Sequence, residues 1–480
     1  MYDVTIIGRD LSSLIAGLTS VHHGLKTVLV TERDPDEAYR EGNYTFYPNP
    51  LPLACPLDPQ LVRDFLEDPQ LFLEETDPEP SLDPAFQVIL PGHRLDILSD
   101  HERLNAELIR EFPEEADNIR SFNLAVEKGG SLVGCWMRKD KLQLFDSLLR
   151  AFRRIGQLLS LAAGSRSFIF PGSSHGLAFW SVVEAELAML SALDVGQRKP
   201  PLSAAYLLSL PRRGRLNPVG DRNAWMRLLY RKFEESGGVL FKNCEIIRID
   251  TDKDIVVDLE GADGSLKLDS RRLIVSTQWE KMNGMLLEQP RLRRLKHRLK
   301  SVVCAGYPFS LHMGVREGSI PERLTPHAVV VLDEKRPVHE SNLVFLDTSL
   351  PAEPGRAPAG GRAITATVYL PESPLRIGDD ELKHVASMIL VSLEGLLPFL
   401  RENIDFINVE RSIAFSRTSQ ETVGLKYNFG ISKLFGLNTF SPKTPLPHLF
   451  LTGGMLRAGL GFEGEILSGI EAALLAGVVD

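Results

Sequence analysis

The sequence predicts a two-domain α/β protein, one of whose domains is assembled from separated pieces of the chain. Three observations predict it. Roughly the first 30 residues run strand, turn, helix, strand, the opening of a parallel βαβ unit. A second cluster of short apolar strands lies near residue 240. The chain closes on LFLTGG (449–454), a glycine-bearing loop and an apolar helix. At 480 residues the chain is also longer than one core ordinarily serves.

The elements follow in order. Residues 2–8 form a buried strand, 11–23 a helix ended by Gly24, and KTVLVT (26–31) a second strand. Residues 61–73 read as an acidic helix, followed by a Pro/Asp-rich break through Pro84. Residues 86–98 read as a hairpin around Pro91-Gly92. Helical patterns then dominate from His101 to about Leu193, and 223–236 is a helix closed by Gly237-Gly238. Strands are expected at 239–249, 255–259, 273–276, 302–315 and 363–370, a helix at 381–397, a strand at 449–454 and a final helix from Glu463 to Ala476. The resulting division is 1–75, 211–290 and 440–480 for the nucleotide-type domain, with 76–210 and 291–439 for a second domain of mixed sheet and helices.

Composition narrows the function classes. A net charge of −9 argues against a nucleic-acid partner. The four cysteines, Cys55, Cys135, Cys244 and Cys304, are far apart without a CxxC, so neither a zinc site nor a disulfide framework is expected. His22-His23 are sequence neighbours on one helix and point to different faces, so no metal is expected there. The opening MYDVTII is a strand pattern without a basic leader, and no run of 18 apolar residues occurs. The expected location is cytoplasmic, soluble or peripheral to a membrane.

The first turn carries the chemistry. A GxGxxG turn between strand and helix lets backbone approach a pyrophosphate at the helix N-terminus. In IIGRDLSSLIAG (6–17), Gly8 fills the first position, Asp10 the second and Ser13 the third. Asp10 sets a carboxylate where a dianionic pyrophosphate would lie, and like charges at low effective dielectric repel by several kcal/mol. The same carboxylate suits a helix N-cap. The acid expected at the end of the second strand falls in register on Thr31, with Glu32 one residue further.

Taken with EGNYTFYPNPLP (41–52), the segment 217–249, the segment 342–371 and LPHLFLTGGMLRAGLGFEGEILSGIEAALLAG (446–477), the chain resembles the phytoene desaturase-like branch of the FAD-dependent amine oxidase superfamily. The resemblance implies a Rossmann-like FAD-binding domain joined to a substrate domain. It would set Gly8, Asp10, Leu11 and Ser13 at the pyrophosphate, Thr31 or Glu32 at the ribose and the Ile246 backbone at the adenine. Gly453, Gly454, Gly459, Leu460, Gly461 and Phe462 would lie at the flavin ring, with a helix dipole stabilising the reduced flavin. It implies hydride transfer from an apolar substrate of isoprenoid or polyene class to flavin, and no catalytic side chain is singled out. Four departures weigh against FAD: Asp10, Thr31 where the strand-end acid is expected, the missing GGR loop in ERDPDEAYR (32–40), and Gly454 where an aspartate is expected.

The alternatives come from other classes. Rab GDP-dissociation inhibitors resemble the same superfamily in fold, carry no FAD and engage prenylated partners. By that analogy this chain would be a cofactor-free relative binding a lipid or a protein, or a non-catalytic subunit. Separately, Gly172-Ser173-Ser174-His175-Gly176 matches the nucleophile elbow of serine hydrolases, with Ser174 as nucleophile. Residues 145–162 form an amphipathic pattern with Arg150, Arg153 and Arg154 off the apolar stripe, either a core helix or one lying on an anionic membrane.

Overall fold

The computed structural model describes residues 1–34, 38–47, 82–139, 178–194, 201–211, 222–251, 255–262, 264–339, 342–351, 353, 355–419, 424–429 and 440–477. The chain begins β1 (Tyr2–Ile7), α1 (Leu11–His22), β2 (Thr27–Val30), β3 (Tyr39–Glu41), β4 (Tyr44–Phe46), β5 (Phe86–Leu90), β6 (His93–Ile97), α2 (His101–Glu111) and α3 (Ala116–Lys139). It continues through α4 (Ala178–Leu190), α5 (Pro201–Ser209), α6 (Arg222–Glu235), β7 (Val239–Phe241), β8 (Glu245–Asp250), β9 (Ile255–Gly261), β10 (Gly264–Ser276), α7 (Met282–Met285) and α8 (Arg293–Leu299). The remainder is β11 (Val302–Arg316), β12 (His327–Val331), β13 (Leu343–Thr348), β14 (Gly361–Leu370), α9 (Asp379–Glu394), β15 (Ile404–Ile407), α10 (Val409–Thr418), β16 (Lys426–Phe429), β17 (Leu449–Thr452) and α11 (Gly461–Gly477).

Two sheets organise these elements. The first has the order β7-β2-β1-β10-β9-β8, with β17 also on β10. Its pairs β7–β2, β2–β1, β1–β10 and β10–β17 are parallel, so strands from the start, the middle and the end of the chain share one Rossmann-like layer. Buried on both faces, β1, β2 and β17 are short apolar runs rather than alternating ones. α1 and α11 pack in backbone contact beside this layer, because a Cβ on Gly469 would stand 2.3 Å from the Ser12 carbonyl oxygen. Any larger residue at Gly469 would push apart the two helices whose N-termini form the candidate site.

The second sheet has the order β15-β11-β14-β13-β12-β5-β6, with β16 on β11. β5 and β6 pair Leu90 with His93 across the two-residue turn Pro91-Gly92, as the sequence predicts. Its two faces bury different cores. Val88 and Leu95 face the helical layer that also holds Leu187, Tyr206, Leu460 and Phe462. Ile89 and Val330 face α9 through Leu382, Ile389 and Leu393. Helix starts are capped locally: Asp100 accepts from Arg103 N (2.8 Å) and Asn408 from Arg411 N (3.0 Å).

Some boundaries differ from expectation. LIVS (273–276) is not a separate strand but the end of β10, whose first half is amphipathic and pairs β9 instead. The stretch Gly454–Leu460 is wound into tight 3-10 turns rather than an open loop, and the last helix begins at Gly461 instead of Glu463. The expected helices at 61–73 and 145–162, the elbow with Ser174 and His175, and Cys55 lie outside the described residues. Among those described, no helix is long and apolar enough to cross a membrane.

Candidate dinucleotide-type site

The turn from β1 into α1 builds the site from its backbone outward. Gly8 has φ +144°, and a Cβ there would lie 2.4 Å from Ser13 Oγ and 2.6 Å from Ser276 Cβ. Only glycine fits that position. Asp10 then takes extended backbone geometry and caps α1. Its Oδ1 accepts from Ser13 N at 2.9 Å, Ser12 Oγ at 3.0 Å and Ser13 Oγ. Its Oδ2 accepts from Ser276 Oγ at the end of β10. Asp10 is only 4 % exposed, and a buried carboxylate is tolerated when its lone pairs are so engaged. The helix N-terminus that would cradle a phosphate therefore already holds an anion supplied by the chain. Leu11 and Ser13 are buried beneath it.

Charge around this turn is tied down as well. Arg9 is 2 % exposed and donates to the Thr418 carbonyl. Tyr230 Oη donates to the Arg9 carbonyl at 3.3 Å. Burial first, then the Asp10 charge, drives the Tyr230 hydroxyl far above its ordinary range, so it stays a donor.

The strand-end position shows the same closure. Thr31 donates its N–H to the Phe241 carbonyl (2.8 Å), and its own carbonyl accepts from Cys244 N (3.2 Å). Glu32, one residue on, accepts from Ile246 N at 3.1 Å and from Lys281 Nζ at 2.9 Å through Oε1, and from Trp279 Nε1 at 3.1 Å through Oε2. Two residues expected around an adenosine, Glu32 and Ile246, thus meet each other. Trp279 and Lys281 belong to this cluster, and sequence reasoning missed both. Their one sequence signal is their place directly after β10.

At the other end, Gly453 has φ +127° and would bring a Cβ to 2.2 Å from Thr277 Oγ1. Gly454 faces the Glu465 side chain, 3.3 Å from a Cβ placed on it. The Gly459 carbonyl accepts from Ser203 Oγ of α5. Leu460 is fully buried and Phe462 nearly so. Gly461, φ +57°, would set a Cβ 2.2 Å from the Leu190 carbonyl oxygen at the end of α4. Glu463, in the first turn of α11, accepts from Tyr206 of α5. The neighbours of these glycines are thus Thr277 at Gly453, Glu465 at Gly454, α5 at Gly459 and α4 at Gly461.

Ser13 and Ser276 pack against Gly8, the helix N-terminus holds Asp10, and the Ile246 amide is taken by Glu32. In this arrangement the residues present do not fit the pyrophosphate and adenosine of FAD.

No protein-family model matches the sequence, and no curated protein matches it. Solved structures do match in fold. Putrescine oxidase bound to putrescine is 14% identical, with 99% of this chain and 98% of that chain covered at a TM-score of 0.57. Cyclohexylamine oxidase from Brevibacterium oxydans is 14% identical with the same coverage and a TM-score of 0.54. Rab GDI from Plasmodium falciparum is 11% identical, covering 98% and 97% at a TM-score of 0.50. In its described residues this chain has the two-part α/β fold of these amine oxidases: a Rossmann-like half and a mixed-sheet half.

Proposed function

We infer that this protein uses the amine-oxidase fold for binding rather than for flavin redox chemistry, as a cofactor-free relative that engages an apolar ligand or a partner protein. The observation that carries this reading is Asp10. Its buried carboxylate occupies the N-terminus of α1 and is held by Ser12, Ser13 and Ser276. A pyrophosphate arriving there would meet a desolvated like charge and would have to displace those bonds, each worth about 1.5–3 kcal/mol when one partner is ionised. The likeness in fold to a Rab GDI is consistent with it, as fold-level analogy.

The flavin reading is favoured by a different observation, the full-length likeness to putrescine and cyclohexylamine oxidases. In that reading the protein is an oxidoreductase passing hydride from an apolar substrate, of isoprenoid or polyene type on the desaturase resemblance, to FAD. One measurement separates the two. The purified protein is examined for blue absorbance and then titrated with FAD while flavin fluorescence is followed. The binding reading expects neither co-purified flavin nor saturable FAD binding, and Asp10→Gly is expected to gain measurable FAD affinity. Stoichiometric flavin in the wild-type protein would overturn it in favour of the oxidoreductase.

A further inference from the structure

A cavity of about 590 Å³ opens on the second sheet where the Pro91-Gly92 turn meets the end of β12 and the C-terminal end of α9. Ile89, Val330, Leu332 and Leu396 give it apolar walls, and His93 and Arg94 also line it. It is an open depression, apolar with a few polar groups. Arg94 pairs directly with Ile89, directly opposed residues share a face of the sheet, and Ile89 packs with α9. His93 pairs with Leu90, so residues from both faces line the cavity at the Pro91-Gly92 end of the sheet. None of Gly8, Asp10, Glu32 or Gly461 lines it, and it is a separate place on the molecule.

Its polar groups are unequal. His93 Nδ1 is 2.9 Å from Glu111 Oε1, and Glu111 also pairs with Arg110 at 2.8 Å, so the His93 ring and the Glu111 carboxylate are engaged within the fold. The Ser392 hydroxyl donates to the Met388 carbonyl. The Arg94 guanidinium, only half exposed, has no hydrogen-bond, ion-pair or ring partner among the described residues. A guanidinium stays charged at any ordinary pH, and its planar fork matches a carboxylate through two parallel hydrogen bonds. Partial desolvation over an apolar floor strengthens that attraction. On the adjoining helix Met388 and Val391 are more than half exposed, which extends the apolar surroundings outward.

We propose that this cavity binds a single-chain amphiphile with a carboxylate head, the Arg94 guanidinium holding the head group and Ile89, Val330, Leu332 and Leu396 covering the chain. The guanidinium selects an anionic head, which a carboxylate supplies with a planar pair of oxygens, and the apolar walls select a chain over a small polar anion. The site stands independently of whether FAD binds at the dinucleotide-type site.

The test is calorimetric titration of the full-length protein with dodecanoate below its micellar concentration, beside dodecanol, acetate and inorganic phosphate. Saturable one-site binding of dodecanoate is expected, with dodecanol, acetate and phosphate each weaker by about tenfold or more. Arg94→Gln should weaken dodecanoate by about tenfold or more and leave dodecanol unchanged. Leu396→Trp, which fills the cavity, should remove both, with the melting transition confirming that each variant is folded. The proposal is overturned if wild-type protein shows no saturable dodecanoate binding, if dodecanol, acetate or phosphate binds as tightly as dodecanoate, or if Arg94→Gln binds dodecanoate like wild type. No arm of the experiment involves flavin, so its failure is distinguishable from failure of the cofactor-free reading.

Discussion

The dinucleotide-type end of the first sheet and the cavity on the second sheet each hold a charged side chain, and the two regions treat it in opposite ways. Asp10 is buried and bonded by Ser12, Ser13 and Ser276. Arg94 is half exposed and has no described partner. A buried charge whose lone pairs are taken by the chain's own donors leaves little for a ligand. A charge without an internal partner contributes little to stability and is available to one. The difference teaches that the glycine turn of a fold can be filled by the chain's own groups while a charge elsewhere is left open to a ligand.

Four substitutions sharpen or break the comparison. Gly461→Val should do the most damage, lowering unfolding free energy by about 3 kcal/mol, because it adds a side chain at φ +57° against the Leu190 carbonyl. A denaturant midpoint near wild type would show that this segment has room for a bulky group after all. Asp10→Ala should cost about 2 kcal/mol, from the lost cap and the hydroxyls left without their acceptor. A neutral or stabilising result in the same unfolding experiment would mean the carboxylate is a strained charge rather than a cap.

Glu32→Ala should cost about 1 kcal/mol by leaving Ile246 N–H and Trp279 Nε1 unpaired. The part due to Lys281 is small, since its side chain is 38 % exposed. Trp279 fluorescence is expected to change with it, and an unchanged spectrum would place the indole bond in doubt. Arg94→Ala should be smallest, within about 0.5 kcal/mol of wild type. A loss comparable to that of Asp10→Ala would erase the contrast, because it would mean that Arg94 holds the fold.

Much of the architecture was legible locally. The βαβ opening shows in TII followed by a glycine and an apolar helix, because a strand buried on both faces must be continuously apolar. The hairpin around Pro91-Gly92 is marked by turn residues between two β-rich runs. Asp10 was legible as a helix cap, since a cap needs only residues three positions apart. The 3-10 winding of Gly454–Leu460 was not legible, because glycines signal permissive backbone without saying what approaches it. Trp279 and Lys281 escaped for a related reason: their partner Glu32 is 247 and 249 residues away.

By itself, then, the sequence determined the element types, the glycine at Gly8 and the anion at the head of α1. These depend on short-range periodicity, backbone sterics and capping. Only the tertiary structure decided what those features face. Ser276 closes over Asp10 from 266 residues away, Glu32 meets the Ile246 amide, Leu190 comes against Gly461, and Arg94 is left beside an apolar cavity. Such pairings are set by how sheets and helices pack, and packing joins residues that no local pattern connects.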